Sequence, residues 1–134
     1  MTAVGAGARN AVYSDVIRER WRRPRFRGEL APPAASAEDV NPLCGDRVRM
    51  TFDVDRVGGD RIRAARFIGD SCAICTASAD VLAELVQGRT RSEALAVTDA
   101  DLLTTLAADI RPTRMRCVTL PLTVLGRALA GDPR

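Results

Sequence analysis

Four cysteines are the residues with most chemistry to offer: Cys44 in "NPLCGD", the pair Cys72 and Cys75 in "DSCAIC", and Cys117 in "RMRC". Asp46 follows Cys44 by two positions, and Gly45 between them leaves the backbone free to bring both side chains to one point. Three thiolates and one carboxylate make up a tetrahedral zinc set, with the hard oxygen as its most exchangeable ligand. The same soft thiolates suit an iron–sulfur cluster. On spacing alone the set is equally compatible with small buried thiols, and Cys72-x-x-Cys75 with a redox dithiol, although the pair lacks the βαβ context of such motifs.

Composition narrows the chemistry. The 134-residue chain has no histidine, and all 20 basic residues are arginine. Schiff-base catalysis, a phosphate-loop lysine and Ser-His or Cys-His nucleophile pairs are therefore excluded. Aromatic residues are only 4% and the net charge is +3, so stacking platforms and a concentrated basic stripe are missing and no nucleic-acid partner is expected. No apolar run reaches membrane-spanning length, and "MTAVGAGARNAVY" lacks the pattern of a signal peptide. The reading is a cytoplasmic protein with no membrane association. In a reducing compartment the cysteines are then ligands, reactive groups or core rather than disulfides.

These residues need elements to position them. Residues 1–9 read as a disordered Gly/Ala-rich start and 10–134 as a single domain. Asn10 is the expected cap of a first helix over 10–22, with Val12, Tyr13, Val16, Ile17 and Trp21 at helical spacing and Pro24 as its stop. The stretch 23–46 carries four prolines and reads as a long connection, with a short edge strand near Asp39-Val40. Val48, Met50, Phe52 and Val54 alternate with polar residues, and "RIRAARFIG" returns as the partner strand after "VGGD". A second helix runs from a Ser71 cap to Gly88, a short one over 99–108 behind a Thr98 cap, and a last one from about Val118 or Thr119, because Pro121 is tolerable in a first turn. Helices flanking a hairpin give an α+β fold, a small antiparallel sheet with helices packed on one face. Cys72 and Cys117 then fall at helix starts, where the dipole lowers a thiol pKa, and Arg116 stands beside Cys117.

"NPLCGDRVRMTFDVD", "FIGDSCAICTASADVLAELVQG" and "TRMRCVTLPLTVLGRAL", preceded by "VYSDVIRERWRRPRFRG", resemble the three cysteine segments and the opening of the U-type iron–sulfur cluster assembly proteins, the IscU, SufU and NifU N-terminal family. The resemblance implies a protein that accepts persulfide sulfur from a cysteine desulfurase of SufS-like type and serves downstream iron–sulfur assembly or apo-proteins. A scaffold on which a [2Fe-2S] cluster is built is the alternative, and a structural zinc module a third. It implies that Cys44, Asp46, Cys72 and Cys117 hold zinc, or that Cys44, Cys72 and Cys117 hold a cluster. Cys44 is the implied sulfur acceptor, with Cys117 as the alternative. Cys75 has no counterpart in the family and is expected to be a small buried side chain. Arg116 stands where the IscU branch has histidine and the Leu-Pro-Pro-Val-Lys motif is missing, which is closer to SufU, yet the usual SufU insertion between the second and third cysteines is absent.

Overall fold

The computed structural model describes residues 14–130, so Asn10, Val12, Tyr13 and the start over 1–9 lie outside the described residues. The element order is α1 (Asp15–Arg22), β1 (Ala35–Asn41), β2 (Asp46–Asp55), β3 (Arg61–Asp70), α2 (Ala73–Val86), α3 (Arg91–Leu95), α4 (Asp99–Leu106) and α5 (Met115–Ala130). The strands form one antiparallel sheet in the order β1-β2-β3. Val48, Met50, Phe52 and Val54 turn inward at period two, as their alternation requires. On β3 the inward set changes phase from Ile62 to Ala65 and Phe67, matching the register irregularity at Asp53/Val54.

Helices α2 and α5 pack on the inward face, as the α+β reading expected. Eleven of the fourteen residues of α2 are buried, which makes it the central helix between the sheet and the other helices. Its Ile74, Val81 and Leu82 join Val118, Val124, Leu125 and Leu129 of α5 in the core. Each large apolar side chain so buried contributes roughly 1.5–3 kcal/mol. The opposite face is crossed by the connection after α1. Phe26 and Gly28 bond Phe67 on the β3 edge. Glu29 then pairs with Arg49, and the Leu30 amide donates to Thr51 Oγ1 at 3.0 Å.

Several boundaries differ from the sequence reading, each for a local reason. The first helix begins at Asp15 because Ser14 caps it, accepting the Ile17 amide at 3.2 Å and donating to the Leu106 carbonyl at 2.6 Å. The edge strand is seven residues long, and within it Asp39 Oδ1 accepts the Val40 amide at 2.8 Å while pairing with Arg127. Cys72, not Ser71, caps α2, since the Ser71 hydroxyl is engaged with Thr76 Oγ1 at 2.9 Å. An unexpected helix, α3, is nucleated by a capping box between Thr90 and Glu93. The last helix starts at Met115, after a 3-10 turn over Pro112–Arg114, so Pro121 lies inside it. Pro121 has no N–H for the Cys117 carbonyl one turn back. In the same turn the Val118 carbonyl accepts from Ser78 Oγ at 2.7 Å.

A buried charge pair ties α1 to α2. Asp80 is fully buried and accepts from Arg20 at 2.9 Å and from the Phe26 amide at 2.8 Å. Arg20 also reaches Glu84 at 2.6 Å, which Arg25 contacts from the far side. No helix among the described residues is long and apolar enough to cross a membrane.

Candidate metal centre

The β1–β2 turn supplies the first two groups. Buried Asn41 anchors it, its carbonyl accepting the amides of Cys44 and Gly45 at 3.3 and 2.7 Å and its Oδ1 that of Leu43 at 3.1 Å. Gly45 has φ +77, a left-handed conformation that glycine adopts without strain. The turn leaves Cys44 exposed and starts β2 at Asp46, whose side chain faces inward at 4% exposure. Asp46 is held at both oxygens: Oδ2 lies 3.1 Å from Cys44 Sγ, and Oδ1 accepts the Cys72 amide at 2.9 Å.

The helices bring the rest. Cys117 sits in the first turn of α5, only 2% exposed. The sulfurs of Cys44 and Cys117 and a carboxylate oxygen of Asp46 all lie within 4.8 Å of one another. Cys72 is outside that triple; its Sγ accepts the Cys75 amide at 3.4 Å as the cap of α2. Its thiol nonetheless interacts with Asp46, Cys117 and Arg114. Cys75 is fully buried one turn into α2.

Burial works against the charge of Asp46, but hydrogen bonds from the Cys44 thiol and the Cys72 amide hold its carboxyl below the usual range. Cys117 departs from expectation. Burial pushes its thiol up to about 12, against the opposing hydrogen bond from Arg114. Desolvation and the neighbouring Cys72 and Asp46 outweigh both the favourable helix start and the Arg114 guanidinium. Burial likewise pushes the Cys75 thiol well up.

The cation facing these thiols is Arg114, not Arg116. Hydrogen bonds to Cys117 and then Cys72 raise the Arg114 guanidinium above its ordinary value. Arg116 is exposed and lines a neighbouring groove with Asp39, Asn41 and Thr119. The signal that finds Arg114 is its three-residue spacing from Cys117, legible once the helix is begun at Met115.

A three-stranded antiparallel sheet under two helices, with three thiols, a carboxylate and an arginine gathered at one end, defines a small α+β domain built around a cysteine-rich site. The chain belongs to the NifU-like N-terminal domain family, whose model matches residues 12–131. It is 36% identical over 117 residues to the bifunctional protein NifU/MnmA of Rubrobacter xylanophilus, covering 87% of this chain but 23% of that protein. It is 27% identical to the zinc-dependent sulfurtransferase SufU of Bacillus subtilis, with 92% of each chain covered. A crystal structure from the thermophile Fervidobacterium islandicum AW-1, of a protein named as a SUF-system iron–sulfur cluster assembly scaffold, superimposes with a TM-score of 0.75 at 29% identity, covering 88% of this chain and 96% of that one.

Proposed function

We propose that this protein accepts persulfide sulfur from a cysteine desulfurase in iron–sulfur cluster assembly, using a zinc site formed by Cys44, Asp46, Cys72 and Cys117. The observation that carries this reading is the meeting of two sulfurs and one carboxylate oxygen within 4.8 Å. Donor atoms around a tetrahedral zinc lie roughly 3.5–4 Å apart, so the triple fits the ion, and Cys72 beside it completes four donors. When bound, zinc would keep its ligand thiols deprotonated near neutral pH. The likeness to the Bacillus protein named a zinc-dependent sulfurtransferase supports the same reading.

Roles follow from position. Cys44 is exposed on a glycine-hinged turn and is the thiol a partner reaches; Cys117 is 2% exposed and serves inside the site. Asp46 Oδ2 accepts the hydrogen bond of the Cys44 thiol at 3.1 Å, and with zinc bound that thiol would be deprotonated. Cys44 as thiolate attacks the terminal sulfur of the desulfurase persulfide. The partner's S–S bond breaks, the partner leaves as thiolate, and Cys44 carries the sulfur as its own persulfide. Arg114 offsets the negative charge of Cys72 and Cys117. The donor partner is SufS-like, the recipients are downstream iron–sulfur assembly or apo-proteins, and the reaction runs in the cytoplasm.

A second reading treats an iron–sulfur cluster as cargo assembled on the same three thiols, favoured by 30% identity to a Streptococcus pyogenes protein named as an IscU scaffold, with 90% of this chain covered. Metal analysis combined with a desulfurase assay separates the two. About one zinc per chain with faster cysteine turnover supports sulfur acceptance. A zinc-free protein that leaves the desulfurase rate flat, yet passes a reconstituted cluster to an apo-acceptor, supports the scaffold.

A further inference from the structure

Cys75 is the one cysteine for which the proposed function has no use, yet it stands beside a thiol of the site. Its amide lies 3.4 Å from Cys72 Sγ, and its own thiol hydrogen-bonds Ser71 and feels the charges of Asp46, Cys72 and Cys117. The two residues are the cap and the third position of α2. Cβ atoms three apart on a helix are about 5–6 Å apart. Cys72 lies outside the helical region, at ψ 169, so the pair is not held to helical Cβ spacing; a disulfide needs roughly 3.8 Å between the Cβ atoms.

We propose that Cys72 and Cys75 form a two-electron dithiol that discharges sulfane sulfur from Cys72 as hydrogen sulfide. The inference rests on the sulfur-accepting reading for its substrate, a persulfide on Cys72 received directly or by exchange from an adjoining thiol. The Cys75 sulfur attacks Cys72 Sγ, the bond from Sγ to the terminal sulfur breaks, and a Cys72–Cys75 disulfide forms. The terminal sulfur leaves as HS⁻ and takes up the proton given by Cys75. Sulfane sulfur is thereby reduced by two electrons to sulfide, the form a cluster requires, and the dithiol is oxidised by two. An external thiol resets the pair by exchange.

The test incubates the full chain, as isolated, anaerobically with glutathione persulfide. Sulfide is measured, and the peptide spanning 67–89 is weighed after alkylation. The expected result is sulfide release together with a peptide about two mass units light that takes up no alkylating agent. In Cys75→Ser, sulfide release is expected to fall roughly tenfold or more, with the added sulfur retained on Cys72 and the metal content unchanged. A wild-type peptide with both thiols alkylated and no sulfide released above a protein-free control, or a Cys75→Ser variant releasing sulfide at the wild-type rate, overturns the proposal. Because the small persulfide bypasses any desulfurase, a chain that fails to stimulate a desulfurase but still closes this disulfide refutes the proposed function and leaves the dithiol standing.

Discussion

Asp46 Oδ1 accepts the backbone amide of Cys72 at 2.9 Å, joining the first residue of β2 to the cap of α2 across 26 positions of sequence. The carboxylate is therefore an anchor for the site as well as the metal donor proposed above. Asp46→Asn keeps an acceptor for the amide, whereas Asp46→Ala removes both roles. Asp46→Ala is expected to retain part of the zinc, since water replaces a carboxylate more readily than a thiolate, while Cys72→Ser loses it with much of the stability. Metal analysis and thermal melts of the three variants check this, and equal metal loss in Asp46→Ala and Cys72→Ser contradicts it.

The sulfur acceptor is expected to be Cys44. It is exposed on the turn, while Cys117 is 2% exposed with its thiol pushed up to about 12 by burial. Mass spectrometry after incubation with a desulfurase and cysteine is expected to find the first added sulfur on the Cys44 peptide. Its appearance solely on the Cys117 peptide reverses the assignment.

Ser78→Ala removes the hydroxyl that donates to the Val118 carbonyl at 2.7 Å beside Pro121. The Val118 carbonyl keeps the helix amide four residues on, so losing the hydroxyl costs about 0.5–1.5 kcal/mol. Denaturant unfolding is the measurement, and an unchanged midpoint would show that α5 satisfies this carbonyl by other means.

Arg20→Met leaves the fully buried Asp80 carboxylate with the Phe26 amide and no cation. Breaking such a pair costs about 3–5 kcal/mol, read as a lowered unfolding midpoint. The same cluster sets a pH dependence. Burial opposes the charge of Glu84, but hydrogen bonds from Arg20 and Arg25 outweigh it and hold its carboxyl below the ordinary value. A carboxyl depressed in the folded state stabilises fully above its unfolded pKa, and that stability is lost as pH falls through the folded value. Wild-type stability is thus expected to decline on acidification below the ordinary carboxylate range, and Glu84→Gln to decline less steeply over that window.

The hairpin, the central helix and the helix behind Thr98 were legible because their apolar periods and caps are strong in the sequence. Others were hidden for identifiable reasons. "ASAEDVN" shows little apolar alternation, since an edge strand needs few inward side chains. Ser71 and Cys72 are both plausible caps, and only the tertiary engagement of Ser71 with Thr76 decides between them. The Thr90-x-x-Glu93 box stands in the sequence, but the five-residue helix it starts is too short to show an apolar period. Pro121 sets the expected helix start too late, which puts Arg116 rather than Arg114 beside Cys117. Type and spacing made the four residues candidates, and the family resemblance assigned them; that Cys72 stands beside the tight triple, capping its own helix, followed only from the fold.

Asp39 occupies the Val40 amide within β1 and is itself tied to Arg127. That donor is thereby withheld from any incoming strand, and a charge sits where a neighbouring backbone would have to approach. The sheet is thus discouraged from growing into a polymer at the border nearest the reactive thiol. On the proposed function, a partner visiting Cys44 would engage the turn and its side chains rather than extend the sheet at this amide.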